Sequence, residues 1–273
     1  MNTRWLLVIF AVLLTACSST EKKPDELTER EYYSDAREAL DNENYMIALD
    51  RLNLLESRYP FGSYAEQAQL EKIYAYYMTA DLDNVLANAE RFIRLHPLHT
   101  QVDYAYYMRG LATYEMGFAF VERYVDTDMA QRDPEPLRDA FNHFSELLTR
   151  FPDSPYVADA QARMIYLRER LASHELVSAR YYMKRHAYMA AANRCAKVIK
   201  HYQKTPAVAD ALAIQVEAYR ALGMQSDADQ ALALLTLNYP QHAQLVEGEF
   251  VDSGLAQVDR RSFINIISFG LLD

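Results

Sequence analysis

The chain has 273 residues, 51% of them hydrophobic, and a formal net charge of −10. An acidic balance argues against general nucleic-acid binding, because neutralising phosphates needs a basic surface. Seven glycines in the whole chain leave little room for β-hairpins, and the abundance of Ala, Leu, Glu, Gln and Arg favours helix.

Residues 1–16 read as a lipoprotein signal peptide. Arg4 supplies a positive start, and Trp5 to Leu14 is an apolar run too short to span a bilayer. Leu14-Thr15-Ala16-Cys17 has the form of a bacterial lipobox. Cleavage before Cys17 frees its thiol for a diacylglyceryl group and its amine for a third acyl chain, so Cys17 is the expected lipid-attachment residue. An ordinary secretory signal with an incidental cysteine is the alternative. Three acyl chains, at about 0.8 kcal/mol per buried CH₂, anchor a protein almost irreversibly. Ser18 rather than aspartate follows the cysteine, which points to the outer membrane. Residues 17–27 form the tether. Nothing further along approaches the ~18 continuous apolar residues of a spanning helix.

Thr28 with Glu31 three later is a capping-box signature, so the first helix is expected to start there. Asp41-Asn42-Glu43-Asn44 is a turn. Tyr45 to Tyr59 then reads as an amphipathic helix, with Ala48, Leu52, Leu55 and Tyr59 on one face and Pro60 ending it. Ser63 with Glu66 suggests a cap for a helix from Tyr64. The same frame recurs at Val85-Ala89-Phe92-His96-Pro97, Ala140-Phe144-Leu147-Phe151-Pro152 and Ala228-Leu232-Leu235-Tyr239-Pro240. Ala191-Cys195-Val198-Tyr202 matches it with Gln203 in place of proline. Each interval opens with a second helical segment. A small residue, a large apolar one four later and a terminal proline form the back half of a tetratricopeptide repeat, whose period is about 34 residues. The expected fold class is all-α, a solenoid of five tetratricopeptide-like helix pairs with an elongated fourth-repeat helix. That helix should run from about Pro155 to Arg185, bridging the two halves. Residues 28–151 hold repeats 1–3, 152–240 hold repeats 4–5, and 241–273 form a C-terminal extension. Phe118 to Asp133 is an insertion, expected as a helix extension plus a protruding loop. The apolar end from Phe263 to Leu272 caps the last repeat or binds a partner.

No catalytic constellation is visible: there is no G-x-S-x-G, Walker loop, H-E-x-x-H or Rossmann fingerprint. His96 and His99 flank Pro97 without a nearby carboxylate or thiolate and read as structural rather than as metal ligands. Cys195 sits at a large-apolar position of the frame and reads as a small buried hydrophobe. The chain is expected to be no enzyme, to need no cofactor or metal, and to act as a scaffold.

Several strings are more specific than the generic repeat. Arg58-Tyr59-Pro60-Phe61-Gly62, Ile73-Tyr74-Ala75-Tyr76-Tyr77, Arg91-Phe92-Ile93-Arg94-Leu95, Tyr107-Met108-Arg109-Gly110-Leu111 and Asp133-Pro134 resemble the BamD family. These are lipoprotein subunits of the outer-membrane β-barrel assembly machine. The resemblance covers about Cys17 to Tyr239. It departs at Gln203 and in the longer C-terminal segment. It implies binding to the POTRA domains of BamA through the C-terminal repeats, binding to BamC, and receipt of unfolded outer-membrane proteins at the N-terminal repeats. Ala192-Asn193-Arg194 matches a Val-Asn-Arg stretch that contacts BamA in the family, so Arg194 takes that role by resemblance. Tyr59, Phe61, Tyr74 and Tyr77 are the candidate lining of a substrate groove, since tyrosines offer rigid apolar area with a polar tip. A lipoprotein repeat adaptor for cell-wall or division enzymes is the alternative function.

Overall fold

The computed structural model describes residues 27–118 and 133–255. The signal peptide, most of the tether, the insertion and the apolar end all lie outside the described residues. Among the described residues there are ten α-helices and one two-stranded antiparallel hairpin. The chain divides into two compact units, the first ending at Asp81 and the second beginning at Leu82.

The first unit holds α1 (Glu29–Asp41), α2 (Tyr45–Arg58) and α3 (Ala65–Met78). Thr28 and Glu31 form the expected capping box, with the Thr28 N–H donating to Glu31 Oε2 at 2.8 Å. Tyr32, Ala36, Leu52, Leu55 and Ala68 make one core cluster, against which Leu27, Tyr59 and Tyr64 pack. Ala39, Leu40, Ala48, Leu49 and Ala75 make a second, edged by Tyr45 and Tyr76. The expected Ser63 cap does not form. The helix starts one residue later, at Ala65, and the Tyr64 N–H donates instead to Glu29 Oε1 at 2.7 Å. A full carboxylate from α1 is the stronger acceptor. Gly62 makes room for it: a Cβ there would lie 2.1 Å from Glu29 Oε1.

The second unit holds α4 (Leu82–Leu95), α5 (Val102–Phe118), α6 (Glu135–Arg150), α7 (Val157–Lys184), α8 (Tyr188–His201), α9 (Ala207–Ala221) and α10 (Gln225–Asn238). Each helix packs on the next, and α7, at 28 residues, also reaches α9. This long helix thus packs against α6, α8 and α9. Close approach needs small residues: a Cβ on Gly110 of α5 would lie 2.7 Å from the Phe144 ring of α6. The core runs through Val85, Ala89, Phe92, Ala140, Phe144, Leu147, Ala191, Cys195, Val198, Ala228 and Leu235, all buried. These are the frame positions read from the sequence; Leu232 and the frame-ending rings of Tyr59, Phe151, Tyr202 and Tyr239 are half-buried.

The turns repeat as closely as the helices. Tyr59, His96, Phe151, Tyr202 and Tyr239 each donate their N–H to the carbonyl four residues back, at 2.8 Å in every case. Three residues later Gly62, His99, Ser154, Thr205 and His242 donate back to those same five residues, at 3.0–3.1 Å. Where φ is given for the first residue of the turn, it lies between −123° and −135°. With ψ between 34° and 64° these residues lie outside the helical region, which a following proline disfavours. Gln203 follows Tyr202 in the same turn, so proline stiffens this geometry without creating it. At the other ends of the pairs, Glu43, Ala80, His186 and Gly223 adopt positive φ. Asn44, Asp81, Ala187 and Met224 then bond back to Ala39, Tyr76, Tyr182 and Tyr219, the Schellman closure of a helix C-terminus.

After α10 the turn recurs but no helix follows. β1 (Leu245–Val246) and β2 (Glu249–Phe250) pair around Glu247 and Gly248, both at positive φ. Scarce glycines leave little room for hairpins, and among the described residues this Gly248-containing two-residue turn makes the one that forms.

Candidate functional site: a buried carboxylate under Arg194, and the N-terminal turn

Arg194 lies on α8, facing α7. Its Nη1 donates to Glu175 Oε2 at 2.9 Å, and Lys197 Nζ, one turn on, donates to Glu175 Oε1 at 2.5 Å. Glu175 is 2% exposed, whereas Arg194 and Lys197 are 39% and 41% exposed. The Arg194 guanidinium also lies 6.0 Å from the Tyr182 ring centre. Burial pushes the Glu175 carboxyl pKa up, but the hydrogen bonds and charges of Lys197 and Arg194 outweigh it and hold it below the usual range. Two cations over one buried anion leave a net positive spot, with both cation heads fixed at the surface. Such a spot suits a partner carboxylate. Arg194 is therefore not a freely solvated helix-face arginine. The sequence showed no sign of Glu175, which lies 19 residues away on another helix.

The four aromatic candidates of the first unit do not converge. Tyr59 is half-buried, donates its hydroxyl to the Leu27 carbonyl at 3.1 Å, and packs 6.4 Å from Tyr32. Phe61, on the turn that Glu29 pins, is 99% exposed. Tyr74 is 41% exposed and meets Tyr45, at the start of α2, edge-on at 6.1 Å. Tyr77 is half-buried. Phe61 lies past the other end of α2, so it and Tyr74 are separated by roughly the 20 Å length of that helix. What the unit does assemble is an open groove between α1 and α3, lined by Arg30, Tyr33, Arg37, Glu38, Asp41 and Tyr64. Tyr33 stacks on Tyr64 at 4.5 Å. Beneath, buried Glu71 accepts from the Tyr33 hydroxyl at 2.8 Å and from Arg37 at 3.2 Å. Burial first, and then Glu71, push the Tyr33 phenol up. Sequence reading passed over Tyr33 and Arg37, because they lie beside the Tyr32, Ala36, Ala39 and Leu40 stripe rather than on it.

The remaining sequence-marked residues are built into the core. His96 and His99 flank the Phe92 ring, at 5.0 and 5.2 Å. Cys195 is buried, and burial pushes its thiol up to about 12. Among the described residues no group of His, Cys, Asp and Glu is placed to hold a metal ion, and no helix is long and apolar enough to cross a membrane. At the C-terminal end, buried Glu217 of α9 accepts from Gln244 Nε2 at 2.6 Å and from the Ser253 N–H and hydroxyl at 2.6 and 2.9 Å. Asp210 of α9 receives Arg180 at 2.5 Å and His242 at 3.1 Å.

Residues 25–234 match the family model described as YfiO, outer membrane lipoprotein. The chain is 42% identical over 226 residues to the outer membrane protein assembly factor BamD of Vibrio cholerae, covering 83% of this chain and 94% of that one. It is 41% identical to the BamD of Neisseria meningitidis, over 86% of this chain and 91% of the other. To that of Pasteurella multocida it is 36% identical, over 85% and 89%. With tetratricopeptide-like helix pairs and this similarity along most of its length, the chain belongs to the BamD (YfiO) family of outer membrane lipoproteins.

Proposed function

We propose that the chain is a scaffold and coupling subunit of the outer-membrane β-barrel assembly complex. In this reading it binds a POTRA domain of BamA and the subunit BamC, and helps deliver and insert outer-membrane proteins. The observation that carries the reading is similarity, over more than four-fifths of the chain, to relatives named outer membrane protein assembly factors. Lipid on Cys17 would hold the protein at the periplasmic face of the outer membrane. The surface-fixed pair Arg194 and Lys197 supports assigning the BamA contact to α8. Substrate would meet the first unit, where Phe61 and Tyr74 offer open ring surface and Tyr59 and Tyr77 are half-buried.

The test is purification of the tagged full chain from detergent-solubilised outer membranes. BamA should co-purify, and a photo-crosslinker at Phe61 should capture nascent barrel proteins. Cys17→Ala should release the chain from the membrane fraction or leave it as precursor. Recovery of cell-wall enzymes instead of a barrel protein would overturn the reading.

A further inference from the structure

α10 turns a mixed side to solvent, on which Ala233 and Leu237 are exposed and Leu232 half-buried beside Asp229 and Thr236. Leu234 is 49% and Leu237 78% exposed. Leu237 forms an open cavity with Asp229, Leu232, Ala233 and Thr236. The hairpin does not cover it: Leu245, Phe250 and Leu255 pack instead against the core cluster built on α7, α8 and α9, which α10 joins through Leu235. Glu217 fixes Ser253, so the described chain is firmly held where it ends, beside that cluster.

Eighteen residues follow Leu255. Arg260 and Arg261, which follow Asp259, precede the apolar run, and seven of the ten residues from Phe263 to Leu272 are Phe, Ile or Leu. We propose that residues 256–273 dock back on α10, their apolar run covering Leu232, Ala233 and Leu237 and their arginine pair meeting Asp229. Three observations support this occupant. The eight residues from Leu255 to Phe263 can span about 26 Å, more than the ~21 Å length of α10. The arginine pair complements Asp229 in the first half of α10, as the apolar run complements Leu232 and Leu237 on the same side of the helix. The end of the described chain is pinned to the same core that holds the inner face of α10. The extension would thus close the repeat array at its open edge, in place of a sixth helix pair. The inference does not rest on the function proposed above.

Placing p-benzoylphenylalanine at Leu237 of the full-length chain in detergent micelles tests it. Irradiation should yield a cross-link to a peptide within residues 256–273 of the same molecule, at a yield unchanged by tenfold dilution. A link to a second copy that fades on dilution, a link to detergent, or no link overturns the proposal. A chain ending at Leu255 should show severalfold faster amide exchange in α10. Leu237→Asp should give a similar rise and add little to the truncation. Unchanged exchange in the truncated chain, or fully additive effects, would equally overturn it.

Discussion

The Glu175 site makes a test in which the sign of the effect matters more than its size. Glu175 is 2% exposed, while its two partners keep about two-fifths of their surface. Replacing Glu175 by leucine leaves two cations that can turn to water, so its cost should be small, on the order of 0–1 kcal/mol. Replacing Arg194 and Lys197 together by alanine leaves a carboxylate buried without a counter-charge, which costs roughly 3–5 kcal/mol. Either alanine alone leaves one charged hydrogen bond in place and should cost only about 1–2 kcal/mol, because the lost partner was half-solvated. Adding Glu175→Leu to the double-alanine chain should then restore most of the lost stability, a coupling of opposite sign to the wild-type effect. Urea unfolding at pH 7, with deuterium exchange in α7 and α8 to localise the change, measures all four. If Glu175→Leu is severe in the wild type and the double alanine is mild, the carboxylate does not depend on these cations and the reasoning fails. The carboxyl is held below its ordinary value, so its stabilisation is present above that value and lost as pH falls through the folded one. Arg194→Glu would set a second carboxylate against the buried one. Its effect on partner binding is therefore interpretable only beside the milder Arg194→Ala.

Three further outcomes are expected. Glu43→Gly should stabilise the first unit by about 1 kcal/mol by relieving a left-handed non-glycine residue, and Gly223→Ala should cost the second a similar amount; thermal melts reporting the reverse order would refute the Schellman reading. Gly62→Ala should drive Glu29 off the Tyr64 N–H and lower stability by about 1–3 kcal/mol, and an unchanged melt would show that the turn yields freely. His143 is held below the usual histidine value, by burial first and then by Arg109. The fold should therefore lose stability as pH falls from its ordinary value near 6.5 toward the lower folded one, a slope that His143→Gln should flatten in denaturant titrations at pH 7 and pH 5.

What was legible in the sequence was local. The Thr28 capping box, the small-then-large apolar frame and the prolines act over four or five residues, and periodicity exposes them. The hidden features depend on distance along the chain. Ser63 with Glu66 has the form of a capping box, yet the Tyr64 N–H goes to Glu29, which lies 35 residues away. Arg194 was marked only through resemblance, and nothing on α8 announces that Glu175 and Lys197 complete its site. Tyr59 and Phe61 are separated by a single proline, yet one is tied to the core and the other stands free. The turn at Glu43 was legible, but the left-handed backbone was hidden for another reason: three of the four such positions carry Glu43, Ala80 and His186, residues that give no glycine signal.

The five inter-pair turns show how the array is both propagated and stopped. Each is closed by its own backbone: a last helical bond, then a bond back to the same residue three positions on. Such a turn needs no knowledge of what comes next, so it forms after α10 as it does after α2, α4, α6 and α8. The residues that follow decide the outcome. After Thr205 come Pro206, Ala207, Val208, Ala209 and Asp210, which start a helix and supply the small side chains for close packing. After His242 come Leu245, Val246, Glu247, Gly248, Glu249 and Phe250, where a glycine-bearing turn between apolar residues favours a hairpin. The hairpin and the segment after it satisfy what a sixth helix would have covered: Glu217 receives Gln244 and Ser253, and Arg220 lies 5.0 Å over the Phe250 ring. The repeat thus ends by a change of local propensity inside a conserved turn geometry, with one buried carboxylate on α9 holding the substitute in place.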